Sequence, residues 1–186
     1  RADHGVRGQE REIIMRTLTL LILSAATALA ADVSGVIKLN GPQPKRPPLQ
    51  LTPESRKLYE GRPYPRDEVD LVSAKGEIKN VFVYIRKGLP AGKTYAAPKK
   101  AALLDQQRSM FRPRIQGLFV GQDFAMRNRD PIIHNVRSLS QENRPFNIAQ
   151  PAGTPDRLKR FSDKEGPIEL RCDYHRWMRA FIFVMD

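Results

Sequence analysis

Cys172, His175 and Met178 fall within the short stretch Arg171-Cys-Asp-Tyr-His-Arg-Trp-Met178, and another histidine, His134, lies upstream. These residues supply a thiolate, two imidazoles and a thioether. Soft sulfur favours Cu(I) and imidazole suits Cu(II), so two His and one Cys with a weak axial Met form the donor set of a blue one-electron copper site. Two-residue gaps on either side of His175 let one tight loop present three donors, leaving His134 to close the cage from a neighbouring strand. Taken singly, each residue has a plainer use: a lone Cys or Met is usually core, and a lone His a satisfied strand or surface residue. Zinc also accepts Cys and two His, but Met is a poor zinc ligand, which leaves Met178 as a copper ligand or as packing beneath a three-ligand site.

Such donors need a rigid frame. The chain is rich in β-branched and aromatic runs punctuated by Gly, Pro and Asn, and no amphipathic helical pattern exceeds about two turns. Strands are expected at Val33–Leu39, Asn80–Arg86, Ala101–Leu104, Ile115–Val120, Asp123–Asn128, His134–Leu139, Arg157–Phe161, Ile168–Arg171 and Arg179–Met185. Asn80–Arg86 alternates in a way that suggests packing on both faces. Short strands separated by turn signals predict an all-β sandwich or barrel rather than a parallel α/β sheet. Gly41 to Pro65 carries seven prolines and reads as an ordered arm with a helical turn around Pro53 to Tyr59. His134 then opens one strand, and Cys172, His175 and Met178 occupy the loop between the last two.

Residues 15–30 read as a secretory signal: a basic start, an apolar run from Leu18 and an Ala28-Leu29-Ala30 cleavage site. The run is shorter than the roughly 20 residues that span a bilayer. Residues 1–14 precede Met15 and read as upstream read-through, which leaves 31–77 as the first strand and arm and 78–186 as the core. Export, to a periplasm or an equivalent outer compartment, makes the chain's single Cys a liability unless it is buried, paired with another chain or bound to metal. Beyond residue 30 only His134 and His175 remain, too few for a multicopper oxidase or a nitrite reductase, so no enzymatic role is expected.

The C-terminal segment resembles the cupredoxin family. Its Cys-x2-His-x2-Met loop is similar to that of the amicyanins, and His134-Asn135 matches the family's His-Asn pair. The segments Asn80 to Leu89, Asp105-Gln106, Asp130 to Val136 and Arg144 to Gly153 resemble exported bacterial cupredoxin-like proteins of the methylamine-utilisation or plastocyanin-like kind, over about residues 33–186. The resemblance implies a Greek-key β-sandwich with one copper per chain, held by His134, Cys172, His175 and Met178, and Asn135 tying the two ligand loops together. Many such relatives carry one Cys near the position of Ser109 and another in the Pro-rich region; this chain has neither. A His that often follows the Asp-Gln segment is replaced by Arg112 or Arg114.

The same resemblance implies a monomeric one-electron carrier in which the exposed edge of His175 is the electron port, flanked here by Arg176 and Trp177. Arg137, Arg171 and Arg179 lie close in sequence to these residues, and the chain has a formal charge of +12. An acidic redox donor or acceptor, such as a cytochrome c or a dehydrogenase, would suit that fringe, although scattered Lys and Arg also read as a generally basic surface. Export and the lack of a stacking-aromatic motif argue against nucleic acid. A copper-buffering module and a metal-free recognition domain are the alternatives.

Overall fold

The computed structural model describes residues 34–68 and 71–186, of which Val36–Asp186 belong to one compact unit. The read-through and signal segments and Val33 lie outside the described residues. Among the described residues, one short helix, α1 (Pro53–Lys57), is followed by nine strands: β1 (Ala102–Gln106), β2 (Phe111–Arg112), β3 (Ile115–Phe119), β4 (Phe124–Asn128), β5 (His134–Ser138), β6 (Asn147–Gln150), β7 (Arg157–Lys159), β8 (Glu165–Arg171) and β9 (Arg179–Met185). They form two mixed sheets, ordered β2-β1-β4-β7 and β3-β9-β8-β5-β6. Parallel pairing joins β1 to β4 and β3 to β9; the remaining neighbours are antiparallel. The expected all-β architecture is what the chain adopts.

Alternation explains the core. Along β9, Ala180, Ile182 and Val184 point inward, and they meet Ile168 and Leu170 of β8, Val136 of β5, and Leu104, Phe124 and Met126 from the other sheet. Burying each large apolar side chain is worth about 1.5–3 kcal/mol. Cys172 and Met178 belong to this same buried cluster.

The pairing of β5 with β8 places the site. Only two rungs are formed, Ser138↔Leu170 and Arg137↔Arg171, after which β8 ends and the chain turns away. Beyond that point β5 stays paired with β6 as far as His134↔Gln150. Because side chains alternate across a strand, His134 shares the inward face with Val136, which is also the face onto which Cys172 is turned.

Two expected strands are not formed. Residues 34–39 make only an isolated bridge, Lys38↔Glu77, and Asn80–Arg86 pairs with no strand. The alternation in Asn80–Arg86 is real, but without a partner edge it leaves Val83 70% and Ile85 60% exposed rather than packed on both faces. Only Phe82 is anchored. Its ring stacks on Phe183 at 4.1 Å, above Gly117, where an added Cβ would lie 3.1 Å from that ring.

The Pro-rich arm is fastened at α1. Pro53 occupies the first turn, where its missing N–H costs nothing, and the Thr52 hydroxyl caps the Ser55 N–H. Ser55 is fully buried, with its Oγ 2.8 Å from that of Ser109, and the Tyr59 hydroxyl donates to the Arg108 carbonyl at 2.6 Å. Both contacts fall on the turn between β1 and β2, closed by reciprocal backbone bonds between Gln107 and Met110. Arg108 and Ser109 sit at φ 53° and 52°, as the central residues of a type I′ hairpin must.

Candidate metal centre

His134, Cys172 and His175 are all buried, and their donor atoms lie within 4.8 Å of one another. His134 Nδ1 is 3.0 Å from His175 Nδ1, and Cys172 Sγ is 3.7 Å from His175 Nδ1. Metal–nitrogen bonds of about 2.0 Å and a metal–sulfur bond of about 2.3 Å at near-tetrahedral angles separate donors by about 3.3–3.5 Å. The observed spacings straddle that range. Donor chemistry and spacing both fit a thiolate-imidazole metal.

The loop carrying Cys172, His175 and Met178 is closed by its own backbone. The Met178 N–H donates to the His175 carbonyl at 2.8 Å, and the Cys172 N–H donates to the Met178 carbonyl at 3.1 Å. Met178 is fully buried. Asn135 binds this loop to β5 through its side chain: Oδ1 accepts the Asp173 N–H at 2.7 Å, and Nδ2 donates to Asp173 Oδ2 at 2.9 Å and to Asn147 Oδ1 at 2.6 Å.

Burial alone would push the Cys172 thiol up, but hydrogen bonds with His134 and His175, and with the Asn135 and His175 backbone, outweigh it and bring the thiol down to about 6. The group is therefore largely thiolate at neutral pH, the form that binds metal. Burial opposes protonation of His134; Asp130 and Cys172 overcome it and raise the imidazole above its usual range.

Asp130 is the participant that the sequence did not single out. Its Oδ2 lies 2.9 Å from His134 Nε2 and also accepts the Ser109 N–H at 2.6 Å, while its Oδ1 accepts the Arg108 N–H at 2.6 Å. Burial works against its charge, but His134 and the two backbone N–H groups hold it ionised below the usual carboxylate range. An acidic residue four places before a candidate ligand, across an Asp-Pro turn, is the signal that could have found it.

The flanking residues divide. Arg176 is exposed and, among the described residues, makes no ion pair. Arg179 pairs with Glu169, which also holds Arg171 at 2.7 Å, and Arg137 reaches Asp173 at 3.5 Å. Trp177 is half-buried; its indole N–H donates to the Ser109 carbonyl at 2.8 Å, and its ring lies 5.3 Å from that of His175. His175 is only 5% exposed, so the freely exposed edge implied by the resemblance is not found. Trp177 covers one side. Glu54 of α1 stands within electrostatic reach: its own backbone N–H and the Thr52 hydroxyl hold its carboxyl low, and the His175 charge adds to this.

No protein-family model and no curated protein matches the chain. Among solved structures, it is similar to a Cu-containing nitrite reductase from Thermus scotoductus at 18% identity and a TM-score of 0.43, over 54% of this chain but only 25% of that one. It is similar to a purple cupredoxin from Nitrosopumilus maritimus at 20% identity and a TM-score of 0.38, over 45% of this chain and 98% of that one. A mutant amicyanin in its Cu(I) form matches at 19% identity and a TM-score of 0.39, over 45% and 81%.

Proposed function

We propose that this chain is an exported type 1 copper protein that carries one electron at a time between redox partners. The observation that supports it most is the convergence of His134 Nδ1, His175 Nδ1 and the Cys172 sulfur in a buried cluster on the inner face of β5 and its neighbouring loop. His134, Cys172 and His175 would hold one copper, and Met178 would offer it a thioether as a fourth donor. Bound there, copper supplies a reversible one-electron couple.

The protein's own part is to keep that site dry and still. The backbone closure of the ligand loop and the Asn135 clamp fix donor positions before any metal arrives, which limits reorganisation when charge changes. The three donors are already needed as ligands, and no further His, Cys, Asp or Glu cluster of three occurs among the described residues to make a second centre. An electron carrier fits this better than an oxidase. Among the described residues no helix is long and apolar enough to cross a membrane.

Partners would meet the protein on the face where Arg171, Asp173, Arg176 and Arg179 line a shallow recess beside Cys172. Arg171 and Arg179 share a single carboxylate, so with Arg176 the face carries excess positive charge, suited to an acidic donor or acceptor.

Titration with Cu(II) tests this reading. Intense absorption near about 600 nm and a reversible one-electron couple are expected, with Cys172→Ser abolishing the colour. A colourless protein that binds Cu(I) would indicate a buffering module instead, and failure to bind either ion a metal-free recognition domain.

A further inference from the structure

Asp130 is a buried carboxylate beside the donor cluster that no ligand role uses. It is 5% exposed, and its two oxygens accept N–H groups from the consecutive residues Arg108 and Ser109. Both residues hold left-handed backbone, φ 53° and 52°, which side-chain-bearing residues adopt at a cost. Successive N–H groups aimed at one point form an anion seat, and here a side chain of the same protein fills it. The turn bearing the seat is held from outside by Ser55, Tyr59 and Trp177, each bonded to Arg108 or Ser109.

An oxygen pair already engaged by two donors has little call for a proton of its own. The hydrogen in the 2.9 Å contact between Asp130 and His134 therefore belongs to Nε2, and Nδ1 turns toward His175 and Cys172. We propose that Asp130 is a positioning residue of the metal centre: its seated carboxylate fixes the tautomer and aim of His134 and lowers the reduction potential of bound copper.

This rests on the copper reading of the cluster. A carboxylate on the remote ring nitrogen strengthens imidazole as a donor, and its negative charge favours the more positive oxidation state. Electrostatics and hydrogen bonding act in the same direction.

The test compares copper-loaded wild type with Asp130→Asn, by voltammetry and by competition with Cu(I) and Cu(II) chelators. The variant is expected to keep its thiolate colour while losing about ten-fold or more of the wild-type preference for Cu(II) over Cu(I), a rise of about 59 mV for a one-electron couple. A lower Tm with an unchanged potential would make Asp130 merely structural and overturn the proposal. Should the variant not fold, the wild-type Cu(I) form still decides: the His134 Nε2–H should appear downfield and slow to exchange in 1H–15N spectra, and rapid exchange would overturn the proposal. A wild type without thiolate-to-copper colour overturns the copper reading itself, and this inference with it; a failure confined to Asp130→Asn leaves that reading standing.

Discussion

Cys172 is 1% exposed and flanked by two imidazoles, so its sulfur is protected from solvent oxidants yet held as a metal-ready thiolate. The types and spacing of the donors were legible because they are local: Cys172, His175 and Met178 share one loop, and His134 sits in a run with strand character. The Asp130–His134 bond was not, because it depends on a turn that only the folded hairpin closes. Met178 gives the residue-scale prediction. Under the proposed copper reading, Met178→Leu should preserve the blue colour and the fold, since the two side chains have similar volume, and should raise the potential by removing a thioether donor. A potential equal to wild type by voltammetry would assign Met178 to packing alone.

At the scale of elements, β9 occupies its expected range because Ala180, Ile182 and Val184 enter the core, Phe183 on the opposite face stacks on Phe82, and both backbone edges are paired, with β3 and β8. The short β6 was invisible for the opposite reason. Asn147, Ala149 and Gln150 have weak strand propensity, and their place is set by pairing with β5 and by Gln150, which accepts from Gln106 and donates to the Met126 carbonyl. Asn80–Arg86 shows the converse case, a strand pattern with no edge to join. The start of β8 supplies a pH prediction. Burial raises the Glu165 carboxyl, but hydrogen bonds from Asn143, Ser140 and the Gln141 and Asn143 N–H groups bring it down from 4.5 to about 2. A depressed carboxylate stabilises the fold above its unfolded pKa, so this contribution is complete above about 4.5 and is lost as pH falls toward about 2. Glu165→Gln should cost about 2 kcal/mol in urea unfolding at pH 7, after allowance for partial solvent screening. The gap from wild type should close across that acid range. A second prediction concerns the seat of Asp130: Arg108 is exposed at φ 53°, and Arg108→Gly keeps the N–H while removing the strain. Thermal unfolding should show a gain of about 1 kcal/mol.

For the whole molecule, the charge of +12 was plain from composition, but its arrangement was not. Three of the four arginines near the ligands are partly neutralised, Arg171 and Arg179 by Glu169 and Arg137 by Asp173, which leaves Arg176 as the exposed cation by the loop. Electron transfer with an acidic cytochrome should slow as ionic strength rises, and Arg176→Glu should cut the low-salt association rate several-fold and flatten the salt dependence. Stopped-flow measurement decides it: if acidic and basic cytochromes respond alike to salt, the arginine fringe does not steer docking.

Ser55 and Ser109 bring together two points 54 residues apart through hydroxyl groups alone. Securing the arm in this way needs no oxidant and no isomerase, and it leaves Cys172 as the chain's only thiol. The sequence therefore offers no second cysteine with which Cys172 could mispair within it, and under the proposed copper reading no other thiol in it competes with the metal for that sulfur. Under that reading, loading the site calls for no oxidative cross-link within this sequence.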